Sequence, residues 1–408
     1  TTITITNFAV TLVSAAYPSC VGVNFGGGNF DLFSNVAVSI VGLTLQSTTT
    51  CVNLQGIVLY GGWTDTSLDI NNGAVTLTQQ TATNAITTSA LWLNMVSVTN
   101  MDVTVANSMF HITCPQACMT IGAPVVAATT FKVNLTVTTL RVDEWSGNTA
   151  IWAARGLRFI PSSSCSSCTM YVADSIVIIR DLVNKISDGM IGLEWLSTAF
   201  SGALLPNLNV TIINTVVNTT ANAQNNVNVP IAITTAPTAS PLNMYIQITD
   251  CRLAAVVPVQ VSPTGHSVMI HFLPHFNVPN LRFIVRNNWI YCDTPSKAFV
   301  TAICVQPSGT QLFAGAYVSI RDNDMYIRGM YQNARAIRQI TASFVDSYVE
   351  VVGNTVTLVS AQVITDANIA VYHMDVSAEM NFVTLVITDN VVDITATNIA
   401  GTLVSVAT

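Results

Sequence analysis

The sequence predicts an all-β protein, a single-domain parallel β-helix wound as a right-handed solenoid of about twelve coils. Three observations predict it. The first is a repeat: Val285-Arg286-Asn287-Asn288-Trp289-Ile290-Tyr291-Cys292, Ile320-Arg321-Asp322-Asn323-Asp324-Met325-Tyr326-Ile327, Val351-Val352-Gly353-Asn354-Thr355-Val356-Thr357-Leu358 and Ile387-Thr388-Asp389-Asn390-Val391-Val392-Asp393-Ile394 share one plan. From Asn288 through Asn323 and Asn354 to Asn390 the steps are 35, 31 and 36 residues, a period that belongs to solenoids, propellers and arrays. The second is that each half of the unit alternates apolar with polar, the period of a strand, and its apolar members are mostly Val and Ile. The third is the junction, a fixed Asn preceded by Asn, Asp or Gly, residues that tolerate a left-handed backbone. Strand, Asn corner and strand, with too little helix for a βαβ unit, stack into a parallel β-helix whose Asn residues 288, 323, 354 and 390 form a side-chain ladder. A propeller needs four antiparallel strands per blade and a sequence signature, and neither is seen. The hand follows from the general preference of parallel crossovers.

Looser versions of the unit extend the pattern towards residue 1. Corners at 7, 42, 72, 100, 139, 181, 214 and 250 join those at 288, 323, 354 and 390, a mean step of about 35 residues that leaves no room for a second domain. The chain opens in strand with no Met and closes in strand, so residues 1–408 read as one solenoid that was processed or cut from a longer polypeptide. Between the corners lie 114–124, 145–168, 186–206, 221–241, 258–279 and 295–315, which hold most of the Pro and read as loops on the edges of the solenoid. Segments 188–200 and 331–340 each have room for a helical turn.

Composition excludes several classes. Hydrophobic residues make up 50% of the chain and charged residues only 9%, against roughly 25% charged in an ordinary domain. The polar surface must then come from Thr, Ser, Asn and Gln. The net charge of -7 and the lack of a basic run argue against nucleic acid as a partner. Mean hydropathy is +0.51, yet no run approaches the roughly 18 apolar residues of a membrane helix. Alternation also suits an outer-membrane barrel, but the corners recur at coil length and aromatic girdles are not evident. Asn134, Asn209 and Asn218 each open an Asn-X-Thr acceptor for N-linked glycan.

The nine Cys are an odd set. Cys114/Cys118 and Cys165/Cys168 look like two halves of a zinc site, but they are too far apart in sequence for the usual ribbon. Disulfides in an oxidising compartment read better: Cys114 with Cys118, Cys165 with Cys168, Cys292 with Cys304, and Cys20 with Cys51 on neighbouring coils. Cys251 is left as a buried thiol. His271 and His275, with His266 nearby, are separated by a Pro that forbids a helix presenting both, so they read as solvated loop residues rather than metal ligands. No cofactor is implied. Gly26-Gly27-Gly28 lacks a following helix with Lys and reads as a loop.

Polysaccharide-degrading enzymes on this architecture need convergent carboxylates. Asp322 and Asp324 flank Asn323, Asp346 and Glu350 fall about one coil on, and Arg321 stacks on Arg286 at one repeat. Corner acids satisfying turn amides, and outward Arg residues pairing with them, account for the same residues without catalysis. The expected protein is not an enzyme.

Units such as Tyr348-Val349-Glu350-Val351-Val352-Gly353-Asn354-Thr355-Val356 resemble those of parallel β-helix repeat proteins. More narrowly, they resemble the dispersed-gene-family surface proteins of kinetoplastid protists. That resemblance implies an extracellular, glycosylated, non-enzymatic surface or adhesive protein, and it transfers no catalytic residue. The uncharged end strands, with Thr2, Ile3, Thr4 and Ile5 at one end and Leu403, Val404 and Val406 at the other, suggest head-to-tail assembly of identical copies into a glycosylated fibre. A cell-surface adhesin using its loops to bind glycan or protein is the alternative, and an enzyme using Asp322, Asp324 and Asp346 the third.

Overall fold

A strand that alternates Val, Ile or Leu with Thr, Ser or Asn buries one side only, and one left-handed residue after it turns the chain through a corner. This chain uses both devices from end to end. The computed structural model describes all residues except 15–18, 27–30, 52, 81–87, 116–117, 146–153, 161–164, 183–188, 197–204, 221–226, 236–240, 258–265, 276, 295–298, 307–310, 330–332, 340–341, 361–369, 375–379, 397–403 and 406–408. The described residues form 38 strands and no helix, and every strand pair is parallel. Transmembrane barrels pair antiparallel, so the architecture is that of a β-solenoid.

Each coil has three principal faces, and three late coils add a short strand ahead of the first face, Gln311–Ala314, Ala342–Val345 and Met380–Asn381. Around Asn288 the first face is Leu281–Arg286, the second Trp289–Thr294 and the third Phe299–Val305. Second-face strands stack in sequence order into a 12-stranded sheet running from Ala9–Ser14 to Val391–Ala396. The first and third faces belong to one 23-stranded sheet, because Asn53–Asn71 and Thr88–Ala106 run unbroken from the third face onto the first. The earlier of these two strands bends at Gly61 (φ 93°), where the register shifts, and at Asp65 (φ 50°).

The third face is the main departure from the sequence reading. Segments read as loops contain the strands Cys118–Ala128, Ala154–Ile160, Met190–Leu196, Val227–Thr234, His266–Leu273 and Phe299–Val305. The expected helical turns are likewise strands, Met190–Leu196 and Asn333–Gln339. The physical reason is burial on both sides: Arg155, Glu194, Val229 and Cys304 on the outer side are buried, as are the core residues beneath them. A strand covered on both faces loses its alternation. Close stacking also selects Gly here, since a Cβ at Gly156 or Gly192 would strike the backbone of the next rung, and Gly reads as a loop residue.

Left-handed residues mark the corner from first face to second at 7, 42, 72, 107, 137, 174, 214, 250, 287, 322, 353 and 389. The corners expected at 139 and 181 are corrected to Val137 and Asp174; Thr139 opens a strand and Asp181 closes one. Asn100 is left-handed, but it belongs to a second series, with Asn35, Asp65, Asn280, Gly315 and Asp346, at the corner leading into the first face. In the last four coils the turn is made by the residue before the fixed Asn. Inside, matching positions stack rung on rung. One first-face column runs through Ile40, Ile70, Val105, Leu135, Val172 and Ile212 and continues through Ile248, Val285, Ile320 and Val351, all essentially inaccessible. Burying a side chain of this kind contributes roughly 1.5–3 kcal/mol.

Candidate functional site

The corner between the first and second faces is pinned from inside. Asn288 Nδ2 donates to Asn323 Oδ1, Asn323 Nδ2 to Asn354 Oδ1 and Asn354 Nδ2 to Asn390 Oδ1, each at 2.9 Å. Each of those Oδ1 atoms also accepts the backbone N–H of the Asn one coil earlier, at 3.0–3.1 Å. The second amide protons go to the carbonyls of Ile248, Val285, Ile320 and Val351, so the buried amides are satisfied. Upstream the same inward position holds Ser108, Thr138, Ser175, Thr215 and Cys251, which bond the carbonyls two residues back. Cys251 N–H joins the two halves by donating to Asn288 Oδ1 at 2.9 Å. The signal for this extension, a small polar residue directly after each left-handed one, lies in the sequence but not in the letter Asn.

Outside this corner, on the first face, one charged network spans three rungs. Arg286 Nη2 donates to Tyr317 Oη (2.9 Å), Ser319 Oγ (2.8 Å) and Glu350 Oε1 (3.3 Å). The same carboxylate accepts from Ser319 at 2.5 Å, Tyr317 at 3.1 Å and Tyr348 at 3.3 Å, with Arg321 at 3.9 Å. Arg321 stacks on Arg286 in register, as the repeat spacing implies. Burial by itself would raise the Glu350 carboxyl, but the hydrogen bonds from Ser319 and Tyr317, the charge of Arg321 and the hydrogen bond from Tyr348 outweigh it and hold it below the usual carboxylate range.

The outward column beside this network reads Tyr245, Arg282, Tyr317, Tyr348 on successive rungs, and the rings of Tyr317 and Tyr348 stack at 5.7 Å. Across the corner, on the second face, Trp289, Tyr291 and Tyr326 make a second group of near-parallel rings with centroids 5.2 and 5.0 Å apart. Asp293 lies beside them, accepting from Tyr291 and pairing with Arg328 at 3.5 Å. None of these aromatic residues stood out in the sequence as a site. What marks them is position: they cluster in outward slots on successive rungs.

The remaining sequence-derived candidates are dispersed. Asp322 and Asp346 sit at opposite ends of the first face, on the two different corner series, and Asp324 opens a second-face strand. Along one rung the two corners stand seven residues apart, as from Asp346 to Gly353, roughly 23 Å of extended chain, so these carboxylates do not converge. His271 lies within the strand His266–Leu273 rather than in a loop, and among the described residues no three His, Cys, Asp or Glu side chains are placed to hold a metal ion. Cys20–Cys51, Cys114–Cys118 and Cys165–Cys168 lie at disulfide distance, with Cα separations of 6.0, 6.4 and 5.9 Å. The expected Cys292–Cys304 bridge is corrected: Cys292 points into the core, whereas Cys304 packs with Val229, Ala232 and Val268 in a separate cluster. Burial pushes the thiols of Cys251, Cys292 and Cys304 up to about 12.

Asn134, Asn209 and Asn218 occupy half-buried outward positions inside strands, not surface loops. Thr2, Ile3, Thr4 and Ile5 form a strand paired along one edge with Ala37–Val41. Val404 lies in a two-residue strand, while Leu403, Val406 and most of the Gly26–Gly28 run lie outside the described residues.

Comparison of the chain with protein-family models, curated proteins and solved structures finds no match.

Proposed function

We propose that this protein is an extracellular or cell-surface β-solenoid acting as a rigid, non-enzymatic scaffold that binds glycan along its first face. The carrying observation is the outward column Tyr245–Arg282–Tyr317–Tyr348, braced by Glu350 and its three-rung network. Phenol rings pre-set by hydrogen bonds, next to guanidinium groups on a flat sheet, bind ligands at low ordering cost. The cysteine pairs at disulfide distance fit an oxidising compartment. The resemblance to kinetoplastid surface proteins supports the same placement, and Asn134, Asn209 and Asn218 are the candidate glycan acceptors on the scaffold itself.

The test is a panel of neutral, sulfated and carboxylated oligosaccharides presented to the purified chain, with Tyr348→Ala as the surface variant. Tyr348 is exposed at the edge of the network, so the variant should weaken binding about tenfold, the scale of one aromatic contact, with the fold intact. Absence of binding to every glycan on the panel ends this reading.

End-to-end association into a fibre is a second reading, favoured by the first coil. Thr2–Thr6 and Ala9–Ser14 each pair along one edge only among the described strands, and Phe8, Val13 and Leu32 are exposed there. Further coils of a longer chain would cover the same edge. Light scattering and electron microscopy of the chain and of Thr4→Pro, which blunts that edge, separate the readings: assembly unaffected by the proline counts against it.

A further inference from the structure

We infer that the hollow at Arg282 takes a single carboxylate-bearing sugar residue, a uronic or sialic acid within a glycan. This inference rests on the glycan-binding reading above and assigns its ligand class. The hollow, about 360 Å³, is lined by Asn243, Tyr245, Asn280, Arg282, Gly315 and Tyr317, within the range of small-ligand pockets, about 300–1,000 Å³. It lies where the chain turns onto the first face, at the left-handed residues Asn280 (φ 55°) and Gly315 (φ 66°).

The charge balance of the face points to an anion. Arg286 and Arg321 share the one carboxylate of Glu350. Arg282, exposed on the same face, has no acidic partner among the described residues. The chain as a whole carries -7, and an unneutralised guanidinium beside a hollow gives this spot a local positive charge. A guanidinium meets a carboxylate through two parallel N–H···O bonds. A phosphate dianion would call on further cations, and those nearest are already engaged with Glu350.

The rest of the lining points to a sugar rather than a peptide. Asn243 and Asn280 each offer an amide donor and acceptor, the pairing a polyhydroxylated ring needs, and Asn243 uses one donor on Asn207 Oδ1 at 3.1 Å. Tyr245 and Tyr317 stand on the rungs either side of Arg282. Both phenols are already fixed, Tyr317 by Arg286 and Glu350, and Tyr245 by donating to Gln247 Oε1 at 2.5 Å. The one aliphatic contributor, Met244, is buried, so the hollow offers no apolar slot to anchor a peptide side chain.

The experiment is calorimetric titration of the full chain with sialyllactose and with a glucuronate-terminated oligosaccharide, the two sources of the carboxylate. Lactose, sulfated lactose and an acidic peptide serve as comparisons. At least one carboxylated sugar should bind tenfold or more tighter than lactose. Arg282→Gln and Asn280→Asp should each lose at least tenfold, while Arg282→Lys retains part of the affinity. Arg282 is exposed and Asp is at home in the left-handed corner, so unchanged thermal transitions are expected for all three. Lactose or sulfated lactose binding as tightly as the carboxylated sugars, or glycan binding indifferent to Arg282→Gln, overturns this assignment and leaves the face-binding reading standing. Binding of the peptide with no glycan binding overturns both.

Discussion

Asn323 ties three coils together with one side chain. Its Oδ1 accepts two N–H groups of Asn288, and its Nδ2 reaches back to Val285 O and on to Asn354 Oδ1. Asn323→Ala should therefore strand buried donors and acceptors on both neighbouring rungs and destabilise by about 3 kcal/mol or more. Chemical denaturation checks it, and a loss under about 1 kcal/mol, the worth of one ordinary hydrogen bond, would show the ladder to be ornamental. A second residue should act in the opposite direction. Val137 holds a left-handed turn (φ 51°) and is exposed, a conformation that costs roughly 1–2 kcal/mol outside Gly, Asn and Asp. Val137→Asn should raise stability by about 1 kcal/mol, read as a higher melting temperature; no gain would show that packing around Val137 offsets the strain. These residues also show what was legible. The four-Asn ladder could be read because one letter recurs at one spacing. Val137 is not legible in this way, because a β-branched residue signals a strand and shifts the expected corner to Thr139. Ser108, Thr138, Ser175, Thr215 and Cys251 escaped because their shared property is size and a polar atom, not identity.

At the scale of a strand, legibility follows burial. First- and second-face strands show one buried and one outward side, and their alternation, as in Met109–Cys114 or Leu281–Arg286, is plain in the sequence. Third-face strands such as Met190–Leu196 are covered on both sides, so period two disappears and Pro and Gly dominate the reading. The first-face site is half legible: Arg286, Arg321 and Glu350 stand out by charge and spacing, whereas Tyr317, Ser319 and Tyr348 do not, since a hydroxyl column one coil apart looks like ordinary strand filler. The charge holding these strands together gives a pH prediction. The Glu350 carboxyl titrates lower when folded than when unfolded, so the folded state binds fewer protons there. Its contribution to stability is complete above the unfolded pKa and disappears as pH falls through the folded one. Glu350→Gln should lower the melting temperature at neutral pH and reduce its drop on acidification. On the second face Asp143 is held low in the same sense: burial raises it, and His111 and Arg141 outweigh that. Some acid sensitivity should therefore persist in the variant. Identical acid slopes for the parent and Glu350→Gln would remove Glu350 from this role.

Over the whole molecule, every strand pair joins neighbouring rungs, and contacts that reach two rungs, such as Arg286–Glu350, are side-chain exceptions, so stability is close to a sum of coil and neighbour terms. The corners state how such a molecule can be shortened. Asn287 and Asp322 are successive left-handed residues of one series, with φ of 54° each, and the strands beyond them are in register, Trp289 with Asp324 and Ile290 with Met325. Excising residues 288–322 joins Asn287 to Asn323 and removes one full turn, so every later strand keeps its face and its inward residues stay inward. The product should fold cooperatively, be shorter by about 4.8 Å, the spacing between strands, and retain the strand signature in circular dichroism. It should also lose anion binding at Arg282, because Asp346 and Tyr348 take the places of Gly315 and Tyr317 and set a carboxylate beside the guanidinium. That separates the integrity of the rod from the chemistry on its side. Excising residues 288–305 instead removes the second- and third-face strands of that coil without their first-face partner. It drives the next first-face strand onto the second face, out of phase with its neighbours, and should give aggregate. Small-angle scattering of the two deletions decides the matter, because a solenoid built of interchangeable turns survives the first and not the second. If both collapse alike, the coils depend on one another beyond the nearest neighbour and the additive picture fails.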